Sequence, residues 1–111
     1  MAQTIKYPFG PATKSAVTAG ATMALSVDNS VTYATISQMS ADGTLNLTVN
    51  DEVEAGDLLY VRVSADGTNR ALTPGTGMVG HAFTVTASKS FLLTFVFDGT
   101  NFISQSTLQL N

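Results

Sequence analysis

The stretch Ser90–Asn111, SFLLTFVFDGTNFISQSTLQLN, decides how the rest of the chain is read. Phe91, Leu93, Phe95 and Phe97 alternate with Leu92, Thr94 and Val96. Period-two alternation over that length is the mark of a β-strand, because successive side chains on a strand point to opposite faces. Asp98-Gly99 supplies a tight turn, since Gly adopts positive φ freely and Asp bonds its own backbone. The residues after it form a last strand. The phenylalanine face belongs to a core. Leu92 and Val96 lie on the other face, where water is expected, and they need a covering partner.

The same alternation recurs upstream. TLNLTVN at 44–50 sets Leu45, Leu47 and Val49 against Thr and Asn, and TMALSV at 22–27 repeats the arrangement with Met23, Leu25 and Val27. In DLLYVRVSA at 57–65, Leu59, Val61 and Val63 share a face, leaving Leu58, Tyr60 and Arg62 on the other. HAFTVTAS at 81–88 points Phe83, Val85 and Ala87 inward, while VTYATIS at 31–37 is a weaker strand and AVTAG at 16–20 a short one. The best helical candidate, SAVTAGATMAL at 15–25, is interrupted by Gly20 and rich in Thr, and reads as two strands and a turn.

Turn signals separate these runs. SADGT occurs at 40–44 and again at 64–68, and DGT returns at 98–100. Strands at this spacing, punctuated by Asp-Gly pairs, predict an all-β fold: an antiparallel β-sandwich, jelly-roll-like, of about eight strands. The expected organisation is an extended N-terminal arm over residues 1–14, carrying Pro8, Gly10 and Pro11, and a single domain over 15–111. Tyr7 and Phe9 are the arm's candidate anchors.

Composition narrows the function. The chain has 111 residues, a net charge of −3 and 12% charged residues, half the usual share of roughly 25%. Lys6, Lys14, Arg62, Arg70 and Lys89 are scattered, so no basic stripe offers itself to phosphates and nucleic-acid binding is not expected. There is no cysteine, which removes disulfides and thiolate metal sites. The first residues contain no apolar leader core, and no run is long enough to span a bilayer as a helix, so neither a secretory leader nor a membrane partner is expected.

Candidates for chemistry are few. His81 is the only histidine and has no second imidazole for a zinc site. No strand–turn–helix elbow of the G-x-S-x-G type accompanies it. Asp51, Glu52, Glu54 and Asp57 form the one acidic cluster, but their spacing is not that of an EF-hand, and a solvated loop is the expectation. Paired carboxylates alone do not make a glycosidase, and with no Trp the sugar-stacking candidates reduce to Tyr7, Tyr33 and Tyr60. TPGTGMVG at 73–80 lacks the Lys and the helix of a phosphate loop and reads as a connection. The reading is therefore of a non-enzyme. Leu58, Tyr60, Leu92 and Val96, apolar or amphipathic on outward faces, are the candidate subunit interface.

Five features in order resemble the small β-rich virion proteins of tailed bacteriophages, a group that includes head decoration proteins and the bases of head fibres. They are the strand GDLLYVRV, the turn DGTNR, the loop GTGMVG, the strand TVTASKS and the closing FDGTNF, spanning roughly 44–103. The resemblance implies a non-enzymatic protein that decorates or cements the outside of a capsid as a homotrimer, made in the host cytoplasm and ending on the virion surface. Its implied partners are the major capsid protein and a head-fibre protein; the N-terminal arm, with Tyr7 and Phe9, and one end of the sandwich are the candidate capsid contacts. It implies no catalytic residues and no cofactor. A carbohydrate- or receptor-binding module of a phage fibre or tail is the alternative.

Overall fold

The computed structural model describes residues 12–111. Among them lie ten β-strands and no helix: β1 (Ala12–Val17), β2 (Thr22–Val27), β3 (Val31–Ile36), β4 (Gly43–Val49), β5 (Leu58–Ser64), β6 (Arg70–Pro74), β7 (Met78–Val79), β8 (Phe83–Val85), β9 (Ser90–Phe97) and β10 (Phe102–Gln109). A six-stranded sheet, sheet one, has the order β1-β3-β5-β9-β10-β7, and a four-stranded sheet, sheet two, has the order β2-β4-β6-β8. Their inner faces share one core. Met23, Leu25, Leu45, Leu47, Leu72 and Val85 meet Ile36, Leu59, Val61, Leu93, Phe95 and Phe97. Most of these side chains are under 6% exposed, and each contributes roughly 1.5–3 kcal/mol of burial.

The expectation of an antiparallel sandwich is corrected. Five of the eight ladders are parallel: β1–β3, β3–β5, β2–β4, β4–β6 and β7–β10. Only β5–β9, β9–β10 and β6–β8 run antiparallel. The cause is in the connections. From β1 to β9 every link crosses from one sheet to the other, and through β7 each sheet receives every second strand in the same direction; β8 and β9 then enter reversed. β1–β2, β3–β4 and β5–β6 are thus three stacked arches. The chain closes with one true hairpin, β9–β10.

This changes the meaning of the Asp-Gly pairs. Only Asp98-Gly99 turns a hairpin, with Gly99 at φ 105°. Asp98 Oδ1 accepts from the amides of Thr100 and Asn101 at 2.8 and 2.7 Å, which holds its carboxyl below the usual aspartate range. The two SADGT copies instead form arches between sheets, and neither of their glycines has positive φ. They also do different work. Gly43 is buried where β4 passes the first arch; a Cβ there would come within 2.3 Å of the Gly20 carbonyl oxygen and 2.7 Å of Met23 Cε. Gly67 has nothing within 4 Å of the same position. Asp42 accepts from the Ala71 amide at 2.9 Å, joining the second arch to the third. Asp66 instead grips Arg70 Nε at 3.0 Å and Nη2 at 2.8 Å, and that guanidinium, more than the Thr68 amide, lowers its pKa.

Neutral side chains stitch the remaining arches. Ser37 Oγ accepts from the Ala19 amide at 2.8 Å, Asn46 Oδ1 from Thr76 at 2.9 Å and Asn69 Oδ1 from Ala87 at 2.8 Å. Such bonds satisfy backbone donors that no sheet ladder reaches. They give the Asn- and Ser-rich composition a structural use.

Two elements fall where the sequence reading places connections. β6 and β7 lie within TNRALTPGTGMVG, which leaves sheet two at Pro74 and reaches sheet one at Met78. Gly75 lies so close to β4 that an added Cβ would meet Asn46 Oδ1 at 2.2 Å. At the other end, β1 takes in Ala12–Lys14, which the sequence reading assigns to the arm.

Candidate association surface

The outer face of the six-stranded sheet is built by register. Val31 of β3 lies beside Leu58 of β5, Leu58 opposite Val96 of β9, Val96 opposite Ile103 of β10, and Ile103 beside Val79 of β7. An apolar row therefore crosses five strands without a polar interruption. The next row runs Lys14, Tyr33, Tyr60, Thr94 and Ser106, and a third runs Ala16, Thr35, Arg62, Leu92 and Leu108. Val31 is buried, and Leu58 and Val96 are half-buried, but toward the β10–β7 edge exposure rises: Ile103 is 40% exposed, Val79 50% and Leu108 58%.

All four residues singled out from the sequence, Leu58, Tyr60, Leu92 and Val96, stand on this one face. Leu58 is directly opposite Val96, and Leu92 is opposite Arg62, whose aliphatic stem is suited to cover it. Tyr7 and Phe9 lie outside the described residues. Sequence reasoning missed Val79, Ile103 and Leu108. Each lies in a short apolar pair or a polar segment, and only strand register assembles them into a surface. Alternation alone would put Ile103 and Leu108, five residues apart, on opposite faces; the register shift between Ser104 and Ser106 brings them onto one.

The other candidates resolve differently. His81 is exposed on the link between β7 and β8 and borders a cleft between the sheets. The acidic loop is locally bonded: Glu54 donates its amide to Asp57 Oδ2 at 2.8 Å, and Glu52 donates to Asn50 Oδ1 at 2.9 Å. Val53 anchors it in the core at 7% exposure. Glu52, Glu54 and Asp57 line a basin with Asp28 and Asn29, but no three His, Cys, Asp or Glu among the described residues are grouped to hold a metal ion. No helix among those residues is long and apolar enough to cross a membrane.

Compared with known protein families and with curated proteins, the chain matches no family model and no curated sequence.

Proposed function

We propose that this chain is a non-enzymatic structural protein of a phage particle, decorating the outside of the capsid as a homotrimer. The observation that supports this reading is the apolar row Leu58–Val96–Ile103–Val79 on an outward sheet face, open to solvent at its Ile103–Val79 end. Broad exposed apolar surface is uncommon on soluble monomers and marks association sites. Covering Ile103, Val79 and Leu108 in an oligomer stabilises it by up to about 1.5–3 kcal/mol for each side chain fully buried. The antiparallel jelly roll of the resembled proteins enters only as a likeness of purpose: a rigid two-sheet scaffold presenting one broad face.

Light scattering coupled to size exclusion tests the assembly. The unmodified protein should run as a trimer at micromolar concentration, and Ile103→Lys with Leu108→Lys should run as a folded monomer. An unmodified monomer would remove the trimer. Cryo-electron microscopy of particles from the phage that encodes the chain tests the location; density absent from the capsid exterior would remove decoration.

A second reading, a carbohydrate- or receptor-binding module, draws on one observation. Tyr33 and Tyr60 are side by side in register on the outer face, with Lys14 beside Tyr33. Adjacent half-buried aromatic faces next to a cation suit a polar ring. A glycan array without hits, or hits unchanged in Tyr33→Ala with Tyr60→Ala, would remove it.

A further inference from the structure

Sheet one is two strands wider than sheet two, so at the β8 edge the space between the sheets opens to solvent beneath β10. The opening is a cleft of about 430 Å³. Ligand sites run from about 300 to 1,000 Å³ and combine apolar walls with a few polar groups. Here Leu45, Leu72, Phe83 and Phe95 supply the apolar depth, while Thr73, Ser104, Thr107 and His81 supply polar groups. Asp, Glu, Lys and Arg are absent from the lining.

The polar wall has a specific cause. The β10–β9 register shifts between Ser104 and Ser106, leaving Gln105 as the extra residue of a bulge. Ser104 pairs with Phe95 and Thr107 with Leu93, both core-facing, so the bulge brings residues three apart onto the same inner face. A regular strand would put them on opposite faces. Bulges re-aim side chains in this way beside functional sites. Across the cleft, Phe83 is held edge-to-face on Phe91 at 5.0 Å, which fixes the apolar wall in advance of any ligand. Gly80 completes the mouth: an added Cβ would stand 3.3 Å from Ser104 Cβ and 3.7 Å from Pro74 Cγ, crowding the entrance.

We propose that this cleft binds a small uncharged aromatic molecule of about two rings, with a hydrogen-bonding end directed at the Ser104 and Thr107 hydroxyls. The volume accommodates a fused or linked pair of rings. The apolar depth favours their burial, and an ionised group would enter without a countercharge. The cleft borders the association surface at Val79 and Ile103, which belong to both, but its polar wall lies apart, since Ser104 and Thr107 face inward where Ser106 and Leu108 face outward.

The probe is 1-naphthylamine, a fused two-ring molecule, neutral at pH 7 and carrying one hydrogen-bonding amino group, followed by its fluorescence. Saturable one-to-one binding is expected for the unmodified chain. Thr107→Trp, which fills the cleft, should abolish it, and Ser106→Trp, which points the other way, should leave it intact. Should Thr107→Trp fail to fold, amide shifts of the unmodified protein decide the matter. Shifts centred on Thr73, Ser104 and Thr107 support the site, and shifts confined to Tyr33, Tyr60 and Leu108 overturn it. No saturation up to the probe's solubility, or equal binding by a folded Thr107→Trp, also overturns it.

Discussion

Identical pentapeptides in different roles offer a sharp test of the fold. Gly43→Ala and Gly67→Ala alter the same residue of SADGT, yet the structure requires opposite outcomes. At Gly43 the new methyl would sit 2.3 Å from the Gly20 carbonyl oxygen. Ordinary carbon–oxygen contacts lie near 3.3–3.6 Å, so one arch must move by about 1 Å. The obstacle is backbone, and Met23, the other neighbour, is 1% exposed and has little room to retreat. Overpacking of this kind costs about 1–3 kcal/mol, against which the entropy gained by replacing a strand glycine returns about 0.5–1. A net loss of about 1 kcal/mol lowers a urea midpoint by about 0.3–1 M at the slopes usual for small domains. Gly67 has open space and no positive φ, so Ala there should be neutral or stabilise by up to about 1 kcal/mol. Urea titration followed by circular dichroism measures both. Equal losses at the two sites would show that both glycines turn hairpins and that the crossed-sheet arrangement is wrong. A harmless Gly43→Ala would refute the close approach.

Other expectations follow from single contacts. Gly99→Ala places a side chain at φ 105° and should cost about 1–2 kcal/mol, read from the same titration. Thr32 is fully buried and its hydroxyl has no partner among the described residues, so Thr32→Val should raise the melting temperature. Asp42→Ala leaves the Ala71 amide without its acceptor and should lose about 1 kcal/mol, with hydrogen exchange accelerated at Ala71. Asp98 has a depressed pKa, so its contribution to stability is complete above the unfolded value of about 3.9 and disappears as pH falls through the lower folded value. Asp98→Asn should flatten that acid limb of a stability–pH profile; an unchanged limb would discount the turn's role.

The β content was legible because alternation is strong in β2, β4, β5 and β9. Strand direction was not. Parallel sheets are usually covered on both faces and read as continuous apolar runs, but here each sheet keeps an outward face, so Leu45-Asn46-Leu47-Thr48 alternates as an antiparallel strand would. The Asp-Gly pairs reinforced that reading, since the dipeptide signals a hairpin wherever strands flank it. At the surface, Leu58, Tyr60, Leu92 and Val96 were visible as outward apolar residues within strong strands. Val79 was hidden in a two-residue strand, and the cleft depends on the Ser104–Ser106 bulge, which no local pattern announces.

The passage of the chain between layers at nearly every link also governs how the molecule comes apart. Neither sheet can leave as a unit, because each adjacent pair of its early strands is joined only through the opposite sheet. Nor can most of it assemble piecemeal: β9–β10 is the only neighbouring pair joined by a short turn, and every other ladder must close a loop through the second layer. Such topologies reach their barrier only after paying much of the ordering entropy, and they fold slowly. Disassembly retraces the same tangle, so resistance to transient opening would come from the order of threading as much as from the strength of any contact.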